Sequence, residues 1–238
     1  MVMMNSLESP GFTGKSWTLA GILALWGIAV AVLAQTGVYR EILAPFIGPI
    51  VAAGMVLPFV AYFSFAGFRR YIEAIGLRKL TAFHVWRTPA ALLFFWYGAH
   101  DWLPEAFVRD AGWGDVGAGV FALIVTLLPQ SRTRFLAFHI YGLADLALAL
   151  GTGMTLTLHG DPRMAGILTL PMALIPLYAV GMLGATHLMA FDLLRRRAGM
   201  REAPRYESTL RDDSQGGEAK KPHRSTSKWP GLSRPFTW

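Results

Sequence analysis

Long apolar runs separated by short polar segments make up most of the chain between residues 16 and 197. An α-helix rises 1.5 Å per residue, so about 20 apolar residues cross the ~30 Å hydrocarbon core of a bilayer. The pattern predicts an all-α fold, an integral membrane bundle of six transmembrane helices. The predicted spans are residues 16–34, 42–68, 80–99, 115–128, 138–159 and 164–194.

The same pattern divides the chain into three regions. Residues 1–15 form a polar cytoplasmic lead, residues 16–197 the six-helix domain, and residues 198–238 a basic cytoplasmic tail. The tail has few apolar residues to bury, so we predict that it is disordered and that its basic side chains contact anionic lipid. Small residues around Ala34 would also suit signal-peptide cleavage, but the length of the first run favours a retained helix.

Basic residues flank the apolar runs unequally, and cytoplasmic loops of membrane proteins are rich in Lys and Arg. We therefore predict a bacterial inner (plasma) membrane protein with both termini in the cytoplasm. The residues placed inside are Lys15, Arg69, Arg70, Arg78, Lys79, Arg132, Arg134 and Arg195–Arg197, and those placed outside are Arg40, Arg109 and Arg163.

Composition supports a membrane protein, because 53% of the 238 residues are hydrophobic and only 16% are charged. The formal charge of +7 is explained by the flanking basic residues, so we expect the lipid bilayer and other membrane-protein subunits as partners, and no nucleic acid. The chain has no cysteine, which excludes disulfides, thiolate metal sites and covalently attached haem. Phosphate-loop, dinucleotide and hydrolase motifs are missing, which favours a non-enzymatic protein.

Two charged residues lie deep inside predicted spans. Arg87 is roughly 10 Å from the inner edge of the third span and Asp145 roughly 16 Å from that of the fifth. An isolated charge there would cost roughly 3 kcal/mol or more, so we predict that the two pair. The pair either joins the helices or lets Asp145 exchange protons or ions. Tyr141, one turn before Asp145, could donate a hydrogen bond to it.

Asp115 opens the fourth span in a glycine-rich segment. A carboxylate in a first helical turn stabilises the positive end of the helix and can cap it. Gly119 and Ala122 continue its face, so a neighbouring backbone can approach closely. We predict a capped, tightly packed helix end, with an ion site at Asp115 as the alternative.

Three histidines on three spans are predicted at similar depths. His84 and His139 lie ~6–8 Å and His187 ~10 Å from the inner edge. Neutral imidazole is a common ligand of metals and of b-type haem. The three either bind haem b or a divalent metal together or are unrelated residues that hydrogen-bond the backbone or face lipid headgroups. We expect no cofactor, with haem b or a divalent metal as the alternative.

A second polar group lies at the outer ends of the third and fifth spans. His100 and Asp101 follow one span, and His159 and Asp161 follow the other. Imidazole and carboxylate groups can bind a divalent metal if the two ends are neighbours. Polar loop ends without a ligand are also common.

Two segments between Arg87 and Asp145 carry a resemblance. The segments are Leu103-Pro104, Phe107 and Ala111-Gly112-x-Gly114-Asp115 followed by a small-residue helix, and Gly142-Leu143-Ala144-Asp145-Leu146. They resemble a family of uncharacterised bacterial multi-spanning inner-membrane proteins. The resemblance implies a multi-pass membrane fold and draws attention to Asp115 and Asp145, but it implies no activity.

Three classes of function follow from these residues. The class that we favour is a non-enzymatic accessory or assembly subunit of a membrane complex, whose polar residues join helices. The second is a small proton- or ion-coupled transporter that uses Asp145 and Arg87. The third is a haem- or metal-binding electron carrier that uses His84, His139 and His187.

Overall fold

The structure is a computed structural model that describes residues 10–41 and 46–196. Within these ranges, helices form where the apolar runs lie. Side chains are described from residue 17 onward within these ranges. Every regular element in these ranges is helical, which confirms the all-α class for this part of the chain. Most of the predicted lead, the disordered tail and its lipid contacts lie outside the described residues.

Nine helices follow one another along the described chain. They are α1 (Pro10–Gln35), α2 (Val38–Glu41), α3 (Ile47–Ser64), α4 (Ala66–Ala82), α5 (Arg87–Ala99), α6 (Glu105–Phe107), α7 (Trp113–Leu127), α8 (Arg132–Leu158) and α9 (Ile175–Arg196). Short 3₁₀ segments cover Phe83–Trp86 and Pro162–Leu168, and a π-helical turn at Val108–Gly112 joins α6 to α7.

Five helical segments of the described chain are long and apolar enough to cross a membrane. These segments are Trp17–Gln35, Ile47–Ser64, Glu105–Leu127, Arg132–Leu158 and Ile175–Arg196. They coincide with five of the six predicted runs, with shifted ends. The fourth begins at Glu105 rather than residue 115, because Pro104 in an extended conformation starts a helix that continues through the expected loop. The last begins only at Ile175, because a 3₁₀ segment precedes it.

The third predicted span, residues 80–99, belongs to two shorter helices, α4 and α5. Gly76 interrupts α4 with φ +76°, a left-handed value that favours glycine. Right-handed helical dihedrals then continue through Ala82, Phe83, Trp86 and Arg87, so residues 77–99 form one helical path with a 3₁₀ turn inside it. Neither α4 nor α5 alone is among the five segments long enough to cross a membrane.

Helix α7 lies at the centre of the packing and contacts α4, α5 and α8. Its buried faces carry small residues, including Ala118 and Ala122, which let neighbouring helices approach. Helices α1 and α3 lie at the periphery, where large apolar side chains such as Leu25 and Leu57 are exposed. Such apolar exterior surfaces suit contact with lipid.

Polar contacts mark the two ends of the bundle. Arg78 Nε donates to Thr126 O at 3.0 Å, which joins the start of residues 77–99 to the end of α7. At the other end, Arg163 Nη1 donates to Asp101 Oδ1 at 2.9 Å. Gly98 also lies against Val108, which belongs to the π-helical turn before α7. Residues 77–99 therefore run antiparallel to α7 along its length.

Candidate functional site

Arg87 is buried at the start of α5 and binds two carboxylates. The arginine is 1% exposed, and its Nε donates to Asp115 Oδ1 at 2.6 Å. Its Nη2 lies 2.5 Å from the same oxygen and also pairs with Asp145 Oδ2. The guanidinium thus joins α5 to α7 and α8, since a planar fork of five donors can bridge two carboxylates.

Glycines on α7 make room for this charge network. A Cβ atom at Gly114 would overlap the Asp145 carboxylate, and one at Gly119 would overlap Thr88. The close approach of α5 and α8 to α7 therefore depends on residues without side chains at these positions. The close packing predicted for the glycine-rich segment is present. Its partners, Asp145 and Thr88, were not predicted from the sequence for these glycines.

Two predicted interactions of this network are wrong. Asp115 does not cap a helix, because the helical path begins at Glu105 and its carboxylate binds Arg87 instead. No hydrogen bond joins Tyr141 to Asp145 within the described ranges. The Asp145 carboxylate contacts Arg87, whereas the Tyr141 hydroxyl lies against Gly117 of α7.

The network carries an uncompensated charge and an unused donor. Arg87, Asp115 and Asp145 are the buried charged side chains of the described chain, and their formal charges add to −1. Arg87 Nη1 has no hydrogen-bond partner there. Both features are costly in an interior that excludes water, so they call for an explanation.

His84, His139 and His187 meet in the bundle interior, and each is 0% exposed. His84 comes from the 3₁₀ turn before α5, His139 from α8 and His187 from α9. The ring centroids of His84 and His187 are 4.2 Å apart, and those of His139 and His187 are 5.0 Å apart. One nitrogen from each ring lies within 4.8 Å of the others, so the cluster could hold a metal ion.

Threonine hydroxyls hydrogen-bond the Nε2 atoms of His139 and His84. Thr81 Oγ1 lies 3.3 Å from His139 Nε2, and Thr186 Oγ1 lies 3.1 Å from His84 Nε2. His139 Nδ1 faces His187 Nδ1 at 2.8 Å. His84 Nδ1 and His187 Nε2 are buried without a partner. Sequence reasoning missed both threonines, although Thr81 is one helical turn from His84 and Thr186 is adjacent to His187.

Close packing surrounds the three rings. Phe138 contacts each of the imidazoles, with centroid distances between 4.9 and 5.6 Å. A Cβ atom at Gly142 would overlap the His187 ring, so α8 and α9 approach closely there. The rings are therefore shielded from solvent and held in place by their neighbours.

The histidine cluster and the charge network adjoin. His84 precedes Arg87 by one helical turn on the same helical path, and both side chains are buried. We call these six residues, the three histidines with Arg87, Asp115 and Asp145, the polar centre. It combines three imidazoles that could hold a metal ion with a buried charge network.

In the outer group, an arginine pairs with the carboxylates for which a metal was the alternative. Arg163 occupies the space between its carboxylates, with Nη1 2.9 Å from Asp101 Oδ1 and Nη2 2.8 Å from Asp161 Oδ2. Hydrogen bonds from Arg163 lower the pKa of Asp161 below its ordinary value. His100 Nδ1 and His159 Nδ1 instead donate to backbone carbonyls of their own helices.

Fold and centre together define an all-helical protein with five segments long and apolar enough to cross a membrane and a buried polar centre, within the described residues. A family model described as Domain of unknown function (DUF8737) matches residues 44–195, and the chain belongs to this family. The matched region contains all six residues of the polar centre, and the resemblance to an uncharacterised family is confirmed. No curated protein and no solved structure matches the chain.

Proposed function

We propose that this protein is an integral membrane protein that binds a transition-metal ion through His84, His139 and His187. The observation that carries this proposal is the convergence of three fully buried imidazoles, with ligand atoms within 4.8 Å of one another. Buried histidine nitrogens without partners, at His84 Nδ1 and His187 Nε2, are costly unless something binds them.

The threonines support metal binding through a specified nitrogen. A metal-bound histidine usually donates its other N–H to a fixed acceptor, which orients the ring. Thr81 and Thr186 are in this position behind His139 and His84, at the Nε2 atoms. The Nδ1 atoms of these two histidines are then the ligands, which agrees with the free Nδ1 of His84.

Charge also supports a cation at this place. Neutral imidazoles add no charge. The formal charge of the polar centre is therefore −1, from one arginine and two carboxylates. An unbalanced charge inside a membrane protein is expensive, and a bound cation would offset it. The Arg87 network further joins α5, α7 and α8, so it also stabilises the bundle around the ligands.

A metal ion suits the ring positions better than haem b. Two imidazoles that bind a haem approach opposite faces of the macrocycle, so a porphyrin must fit between them. The three rings here lie in direct contact, with centroids 4.2 to 6.0 Å apart. Imidazole ligands suit Zn, Cu, Fe and Ni ions.

The membrane arrangement that we propose has six crossings in the bacterial inner membrane and both termini in the cytoplasm. The sixth crossing is residues 77–99, which join the Arg78 end of the bundle to the Asp101 end. At 1.5 Å per residue this path is long enough for the hydrocarbon core. The distribution of flanking Lys and Arg residues supports the orientation.

An accessory or assembly role and ion-coupled transport through Asp145 stay predictions. Each is compatible with a charge network that joins three helices, and a metal site could serve either one. Metal binding is the property for which the polar centre provides specific ligands, so it is the function that we test first.

Metal content of the full-length protein, purified in detergent, tests the proposal. After incubation with Zn²⁺, Co²⁺ or Cu²⁺ and removal of free ion, we expect one ion per chain by mass spectrometry. His139→Ala and His187→Ala should abolish binding. His100→Ala and His159→Ala, which remove exposed histidines at the ends of α5 and α8, should not change it. Metal-free wild-type protein, or equal losses in all four variants, would refute the proposal.

A further inference from the structure

We infer that a divalent ion at the histidine cluster carries one small monovalent anion as its fourth ligand, and that Arg87 Nη1 donates a hydrogen bond to this anion. This inference rests on the proposed metal site and specifies its chemistry. It gives a role to the one guanidinium nitrogen of Arg87 that the two carboxylates do not use.

Coordination number is the first argument. The cluster supplies three imidazole nitrogens, and it is the metal-ligand grouping that the described chain contains. Zinc-like ions take four ligands, and a site with three protein ligands completes the set from solution. The fourth ligand of a divalent ion in this cluster must therefore be a small species that enters the bundle.

Arg87 is held in one orientation by its two carboxylate partners. Its Nε and Nη2 are held by Asp115 and Asp145, so the guanidinium plane is fixed. Nη1 is then a buried donor of fixed direction without a partner. His84 precedes Arg87 by one helical turn and both are buried, so the guanidinium and a ligand of the proposed ion lie on the same face of the helical path 77–99. An anion on the metal would accept from Nη1 and remove the cost of leaving this donor unused.

Charge balance is the third argument. The polar centre without an ion has a formal charge of −1 from Arg87, Asp115 and Asp145. A divalent ion changes the sum to +1, and one monovalent anion brings it to zero. A monovalent ion would give zero without any anion. Because net charge is costly in the bundle interior, a divalent ion and a small anion should bind together.

Azide is a suitable probe for this anion, because it is small, monovalent and binds metal ions. The experiment uses full-length protein in detergent, saturated with Co²⁺, whose visible absorption reports the ligand set. At constant ionic strength, azide should shift the cobalt bands in a saturable way with one azide per ion. An unchanged spectrum at full cobalt occupancy would overturn the inference. Absence of bound cobalt would instead overturn the proposed metal site, and the inference with it.

Two variants assign the anion to Arg87, and all comparisons are made on cobalt-saturated protein. Arg87→Lys keeps the positive charge but replaces the rigid fork by a single ammonium, so azide should bind roughly tenfold more weakly or worse. Asp115→Asn keeps an oxygen acceptor and removes one negative charge, so azide should bind more tightly. His100→Ala, far from the centre, should leave azide affinity unchanged.

The two variants should change azide affinity in opposite directions, so the measurement can contradict the proposed role of Arg87. Circular dichroism establishes which variants are folded, and Asp115→Asn decides the question if Arg87→Lys is not. Equal azide affinity in the wild type and in every folded variant would show that the anion does not respond to the charge network. That result would overturn the role of Arg87.

Discussion

His139 Nδ1 and His187 Nδ1 lie 2.8 Å apart, although 48 residues separate the two histidines in the chain. A contact of this length between two ring nitrogens needs one hydrogen between them, so one nitrogen donates and the other accepts. To bind a metal through Nδ1, His139 would have to carry its hydrogen on Nε2, where Thr81 Oγ1 can accept it. The contact thus links the protonation pattern of α8 to that of α9.

Thr81→Val should weaken metal binding about 10- to 100-fold, because it removes the group that orients the His139 ring and holds its Nε2 proton. Affinity is measured by competition with a chelator of known strength. Thr152→Val is a matched control on α8, since Thr152 bonds Asp110 about 20 Å along the helix from His139. Equal affinities in Thr81→Val and the wild type would contradict the orienting role.

Gly142→Ala should destabilise the bundle by about 1–3 kcal/mol and disturb the metal site, because its new Cβ would overlap the His187 ring. Thermal unfolding and metal content measure the two effects. Gly151→Ala is the control on the same helix, since nothing lies within 4 Å of a Cβ at that position. The second substitution should be neutral or slightly stabilising. Similar losses in both variants would show that the His187 contact is not responsible.

Arg87→Met should destabilise the protein by about 3–5 kcal/mol, because it leaves the carboxylates of Asp115 and Asp145 buried without their partner. Neutralising all three groups, as Arg87→Met with Asp115→Asn and Asp145→Asn, should recover most of this loss. Asp101→Asn is the surface control and should cost about 1 kcal/mol or less, since Asp101 pairs with Arg163 in solvent. Denaturant unfolding in detergent compares the variants, and an undiminished loss in the triple variant would refute the charge argument.

Labelling of single cysteines should place residues 66 and 100 on opposite sides of the membrane. The chain has no cysteine, so each variant carries one reactive thiol. In intact cells, a membrane-impermeant maleimide should label His100→Cys and leave Ala66→Cys unlabelled until the membrane is permeabilised. Labelling of both positions from the same side would exclude residues 77–99 as a crossing.

A second pair of variants checks the orientation at another crossing. His159→Cys, at the end of α8, should be labelled in intact cells, and Gln130→Cys, between α7 and α8, should not. The reverse pattern would show that the arrangement is inverted, although the number of crossings would be unchanged.

Sequence by itself determined the helical class and five of the six apolar segments, because membrane-length hydrophobicity is a local property of consecutive residues. Depth along a helix is also local, since each residue adds 1.5 Å. Counting residues from the ends of the predicted spans therefore predicted that Arg87 lies near Asp145 and that the three histidines lie at similar heights along their helices.

Only the tertiary structure decided which side chains face one another, because rotation and approach depend on partner helices. Gly114 and Gly142 set these contacts, by admitting the Asp145 carboxylate and the His187 ring. Asp115 changed from an expected cap to an Arg87 partner because the helix starts earlier, at Glu105. The outer carboxylates Asp101 and Asp161 both pair with Arg163, a contact that residue types at the helix ends did not indicate. The sequence determined the position of each polar residue along its helix, and packing determined its partner.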